Sequence, residues 1–255
     1  MRSISLVLAT LVASVLLISG QSPRPPASAR AANNRGVALM TQQNFQPALR
    51  EFEAAVAADP QFTTALINQG IALAALGRPD AARRAFERAL ELDPDSIRAH
   101  YNFGLLNRSE GKADEALREF TAAQRLAPND AYSFYFAATI QFQQGDYAAA
   151  AANYTKAIDL DPAFVSAYFG ASRSYTALQQ PERARVYQDR FQALTRDSSL
   201  NATIGTQYGE QGPYAFAEEV DLPSAAPASN IAVRFADGTR AFGTLAPGEA
   251  ACTID

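Results

Sequence analysis

The chain has 255 residues, 48% of them hydrophobic, which is enough for one large or two modest cores. Charged residues are sparse at 19% and the net charge is −4, so no basic stripe is available to neutralise a phosphate backbone, and nucleic acid is excluded as a partner. The single cysteine, Cys252, builds neither a disulfide framework nor a cysteine metal site within one chain.

At the N-terminus, Arg2 precedes an apolar and small-residue run over 4–18, a positive n-region and an h-region too short to span a bilayer comfortably. Residues 1–20 therefore read as a bacterial-type export signal or an N-terminal anchor. Cleavage near Gly20 or at Ala27-Ser28-Ala29 releases a periplasmic or secreted protein; retention leaves it attached to the inner membrane. No lipobox cysteine follows. Residues 21–28, with Pro23, Pro25 and Pro26, read as a stiff linker.

Next comes a repeat. Pro60, Pro94, Pro128 and Pro162 recur every 34 residues, each closing a phrase such as Glu-Leu-Asp-Pro at 91–94. Units starting at 29, 63, 97, 131 and 165 align their small and large places. The eighth place holds Gly36, Gly70, Gly104, Ala138 and Ser172, and the twentieth holds Ala48, Ala82, Ala116, Ala150 and Ala184. The twenty-fourth holds Phe52, Phe86, Phe120, Tyr154 and then Gln188. Small residues let paired helices cross closely, and the aromatic fills the gap between one unit and the next. Gly77, Gly111 and Gly145 end first helices, and Pro47, Pro79 and Pro181 sit in the first turn of second helices. Asp95-Ser96 and Asn129-Asp130 supply caps.

Residues 29–196 thus resemble four tetratricopeptide repeats followed by a degenerate, capping fifth. The resemblance implies an all-α fold, a superhelix or α-solenoid of about five helix-turn-helix repeats, with a small irregular or β C-terminal tail. It also implies a concave face lined by places 2, 5, 6, 9, 12 and 13 of each first helix. Place 6 holds Asn34, Asn68 and Asn102, and place 2 holds Arg30 and Arg98. An asparagine amide can donate to a main-chain carbonyl and accept from an N–H at once. Basic residues beside such a ladder resemble in part the carboxylate clamp of chaperone-binding members, although Asn102 stands where that clamp has a basic residue. The plain alternative is that asparagine is a tolerated solvated residue there. Tyr101, Tyr132, Tyr135, Phe136, Phe142 and Phe169 make the inner face of units three to five aromatic, either as anchors for a partner or as a surface covered by the tail. Arg173 is placed to pair with an acidic or carboxylate group.

Chemistry is discounted. His100, the only histidine, falls at a bulky packing place, so no triad forms, and it reads as a core residue. Glu51, Glu53, Glu87 and Glu91 read as solvated partners of arginines along their own helices. The sequons at Asn107, Asn153 and Asn201 read as accidents of sequence. No enzyme activity, cofactor or metal is expected.

After Arg196 the helical period stops. Within 197–255, residues 231–242 carry a hairpin signal around Asp237-Gly238. Phe242-Gly243 and the closing residues weakly resemble the start of an FG-GAP-type propeller repeat. The expected function is an exported, non-enzymatic adaptor that binds a protein or peptide partner in a concave groove. The alternatives are a structural spacer presenting its C-terminal module and an accessory subunit of a secreted enzyme.

Overall fold

In a computed structural model, residues 24–196 and 211–221 are described. The export segment, the hairpin over 231–242, the propeller-like stretch and Cys252 lie outside the described residues.

Among the described residues, ten α-helices follow one another in antiparallel pairs: α1 Ala27–Thr41, α2 Phe45–Ala58, α3 Thr63–Ala75, α4 Pro79–Leu92, α5 Ile97–Ser109, α6 Ala113–Leu126, α7 Ala131–Gln143, α8 Tyr147–Leu160, α9 Val165–Ala177 and α10 Pro181–Arg196. Each pair is one unit, packed on its neighbours in the stack. The first helix starts two residues before the repeat register, because Pro26, with φ −51° and ψ 149°, holds the extended conformation that precedes a helix and accepts the Arg30 amide at 3.1 Å. The second helices are amphipathic. In α4, Ala82, Ala85, Phe86 and Ala89 form one buried stripe at helical spacing, and the charged residues occupy the rest.

The fifteenth place of every unit is left-handed: Gln43, Gly77, Gly111, Gly145 and Gln179 have φ between 57° and 84°. In the second unit the Gly77 and Arg78 amides turn back onto the carbonyls of Ala74 and Leu73, a Schellman closure that stops the helix. The next unit is started by side-chain caps where Ser96 accepts from the Ala99 amide and Asp130 from the Ser133 amide.

Close approach within a unit sets its geometry. A Cβ on Gly70 would lie 2.5 Å from the ring of Phe86, and one on Gly104 would lie 3.0 Å from Phe120. The place-24 aromatic therefore packs on its own unit's glycine as well as on the next unit, where Phe86 meets Phe103 at 6.1 Å between ring centres. In the fifth unit both places become polar together, and Ser172 Oγ donates to Gln188 Oε1 at 3.3 Å. There α10 buries only Ala184 among its side chains, as suits an end with no further neighbour.

Two sequence readings are corrected. His100 is not an apolar core residue: Nδ1 lies 2.7 Å from Glu119 Oε2 and Nε2 lies 3.0 Å from the Pro94 carbonyl. Both ring nitrogens face acceptors, which only the protonated ring satisfies in full. Glu51 pairs across the unit with Arg35 of the facing helix at 2.8 Å, and not along its own helix. The sequon residue Asn107 is buried and accepts from Arg83 at 2.9 Å, which leaves it inaccessible to a glycan.

Gly70→Val is expected to destabilise the fold by about 2–3 kcal/mol through overpacking against Phe86. Gly77→Gln, at a place where two units already carry glutamine, costs only about 1 kcal/mol; chemical denaturation of the two variants measures the difference. The Glu119 hydrogen bond, opposed by burial and by Arg125, raises the His100 pKa above its ordinary 6.5. The stability from this pair is therefore fully present below about pH 6.5 and is lost as pH rises through the higher folded-state value. Denaturation midpoints from pH 5 to 9 should show this loss in the natural chain and not in His100→Gln.

Candidate functional site: the concave groove

The groove formed by α1, α3 and α5 is occupied by the chain's own residues 211–221. Their hydrogen bonds run from the third unit to the first, and Gly212 also lies against Tyr132 of the fourth. The Tyr101 hydroxyl donates to the Gln211 carbonyl, and Asn102 Nδ2 donates to the Tyr214 carbonyl at 2.7 Å. Asn68 holds Glu218 by both backbone groups: its Nδ2 donates to the Glu218 carbonyl at 2.9 Å, and its Oδ1 accepts the Glu218 amide at 2.9 Å. Asn34 does the same for Val220, at 2.8 Å and 3.0 Å. The two-residue step between these rungs is that of an extended chain, whose alternate residues face one way. The third rung departs from this step, because Tyr214 lies inside a short 3-10 turn, Pro213–Ala215.

Arginines flank the ladder. Arg30 Nη1 donates to the Asp221 carbonyl at 2.7 Å, joined by Arg24 Nη2 at 3.0 Å. Arg98 Nη2 donates to the Phe216 carbonyl, and its Nε lies 3.1 Å from Glu218 Oε2, close enough for an ion pair but not aligned for a hydrogen bond. Burial pulls the Arg98 guanidinium below its ordinary value, and Glu218 and Tyr214 oppose that pull. The arginines thus hold main-chain carbonyls and one side-chain carboxylate, where the clamp resemblance implied a chain terminus.

Apolar contacts complete the seat. Ala215 is buried beside Tyr101, whose ring centre lies 5.7 Å from that of Tyr214, and Val220 packs on the apolar cluster of Ala29, Ala32, Ala55, Phe62 and Ala65. Gly212 has φ 78°, and a Cβ there would fall 2.6 Å from the Tyr101 hydroxyl and 2.7 Å from Tyr132.

The asparagines of the ladder are not simply solvated: Asn68 is 0% exposed and Asn102 5%. The aromatic residues divide. Tyr101 and Tyr132 reach the segment, but Phe136, 2% exposed, stacks on Phe120 at 5.3 Å beneath the Arg108 guanidinium as a core side chain. Tyr135 packs against Phe136, Tyr154 and Phe164 of its own unit, as part of that unit's aromatic packing. Phe169 is 44% exposed against Phe191, and Arg173 lies over the rings of Phe142 and Phe169, a cation on aromatic faces and not beside a carboxylate.

Asn33 was not singled out from the sequence. Fully buried, it donates to the Glu218 carbonyl at 2.9 Å, and its Oδ1 accepts from Asn68 at 2.8 Å. The same place holds Ile67, Tyr101, Tyr135 and Phe169 in the other units, so an amide in an aromatic and aliphatic column was the available signal.

A family profile described as tetratricopeptide repeat matches residues 8–61 and 67–131, and a second described as TPR repeat matches 138–172, together more than half of the chain. MamA from Desulfovibrio magneticus RS-1 is similar in structure, with 22% identity and a TM-score of 0.62 over 68% of this chain and 98% of that one. YrrB, described as a TPR protein with an unusual peptide-binding site, aligns at 20% identity and a TM-score of 0.58 over 69% and 91%. Pseudomonas aeruginosa PilF aligns at 20% identity and a TM-score of 0.60 over 65% and 76%. At these identities the likeness is one of fold. No curated protein sequence matches the chain.

Replacing Asn68 with Ala should expose the Glu218 amide to exchange and leave that of Val220 slower. Asn34→Ala should do the reverse, as read by amide hydrogen exchange at the two positions.

Proposed function

This chain is a tetratricopeptide-repeat protein, and on that footing we propose that it is a non-enzymatic extracytoplasmic adaptor that holds an extended polypeptide segment in its concave groove. The observation that carries the reading is the paired grip of Asn34 and Asn68 on the backbone N–H and C=O of single residues. Such a grip uses no side chain of the bound segment, so it suits any extended chain with a non-proline residue at the rung. The apolar run near the N-terminus supports export.

The seated segment also favours a second reading, a spacer whose groove is closed by its own tail. The two separate in the full-length chain carrying Gly212→Val, which obstructs the segment's seat against Tyr101 and Tyr132 without altering the groove wall. An adaptor so opened should retain a defined polypeptide from envelope extract and lose it when Asn34→Ala and Asn68→Ala are added. Retention that ignores the asparagines, or no retention, sides with the spacer. Cell fractionation tests export directly, a periplasmic, secreted or inner-membrane pool being the expected result.

A further inference from the structure

Residues 211–221 satisfy the backbone-reading part of the groove and pair Glu218 with Arg98, but they leave the Nε–H groups of Arg30 and Arg98 without hydrogen-bond acceptors. Arg30 is only 7% exposed, yet its Nε has no hydrogen-bond partner while Nη1 is spent on a neutral carbonyl. Arg98 Nε meets Glu218 out of line and also lacks an aligned acceptor. A buried guanidinium N–H without an acceptor is costly, and a carboxylate is its geometric complement. Room exists at the first unit, where a cavity of about 470 Å³ is bordered by Arg24, Arg30, Thr63, Thr64 and Asp221. Asp59 borders it too, with one carboxylate oxygen accepting the Gln61 amide at 3.0 Å.

The direction and the shape of an occupant are also set. The chain ascends in number from the third unit to the first, Ala215 is buried, and position 212 admits no Cβ. Resting on the groove reading above, we infer that the partner is an acidic extended segment, entering at the third unit and leaving at the first, and that residues 211–221 are the competitor it displaces. Its small residues sit where Gly212 and Ala215 now sit, and its carboxylates meet Arg98 and Arg30. While the segment is seated the groove is closed, so the apparent affinity of a partner is reduced by the fraction of open chains.

The test uses full-length protein and a fluorescent peptide with the sequence of residues 211–221, read by anisotropy. The peptide should bind Gly212→Val at least tenfold more tightly than the natural chain, and a peptide carrying Glu218→Lys should bind the opened chain at least tenfold more weakly than the parent peptide. Should Gly212→Val fail to fold by circular dichroism, Glu218→Lys in the chain opens the seat by charge alone. Equal binding of the parent peptide to natural and opened chains overturns the competitor role. Equal binding of the two peptides to an opened chain overturns the acidic partner, and the groove reading survives it only if Asn34→Ala with Asn68→Ala abolishes that binding. No binding to any opened chain overturns both.

Discussion

In three successive units an aromatic ring fills the space that a Cβ would need on the facing helix, at Gly36, Gly70 and Gly104. This contact within each unit is the constraint on which the stack depends. It fixes how near the two helices come, and with the place-24 ring also reaching the next unit, it fixes how one pair leans on another. First helices brought into succession this way present the same place of each unit to one groove, so asparagines 34 residues apart in sequence become consecutive rungs.

An asparagine rung does for an extended chain what a neighbouring strand does in a sheet, with a side-chain amide in place of a peptide group. The segment's ten hydrogen bonds to groove side chains divide into neutral ones, worth about 1 kcal/mol each, and three from guanidinium groups, worth about 2 each. Ordering eleven residues costs about 1–2 kcal/mol apiece in backbone entropy, so the two sides are of similar size before apolar burial is added. Burial of Val220 and Ala215 then helps to decide the balance between a seated and an unseated segment.

Much of this was legible because repetition turns weak signals into strong ones. Single glycines such as Gly70 or Gly77 say little, but in register with Gly104 and Gly111 they mark a helix crossing and a left-handed turn. Asn34, Asn68 and Asn102 were legible for the same reason. Residues 211–221 were not, because an extended segment held by side-chain amides has no periodicity of its own and needs none. Gly212 reads as ordinary loop glycine until Tyr101 and Tyr132 are seen beneath it. Phe136 misled in the opposite direction: its place belongs to the groove, but its ring turns into the layer between units, where Phe120 offers more contact than solvent does. His100 was hidden because Glu119 lies on the other helix of the unit, and sequence spacing does not show which face that residue presents.

A stack in which each unit touches only its neighbours is mechanically a soft spring, able to change pitch by small adjustments at every joint. Residues 211–221 fasten to the first, second and third units at once, and so act as a tie rod along the inside of that spring. With the rod in place, opening the joint between the first two units must stretch or break the rungs at Asn34 and Asn68 together. The pitch of the first three coils is therefore held while the segment is seated and becomes free to relax when it leaves, so that a change in groove occupancy is also a change in stiffness.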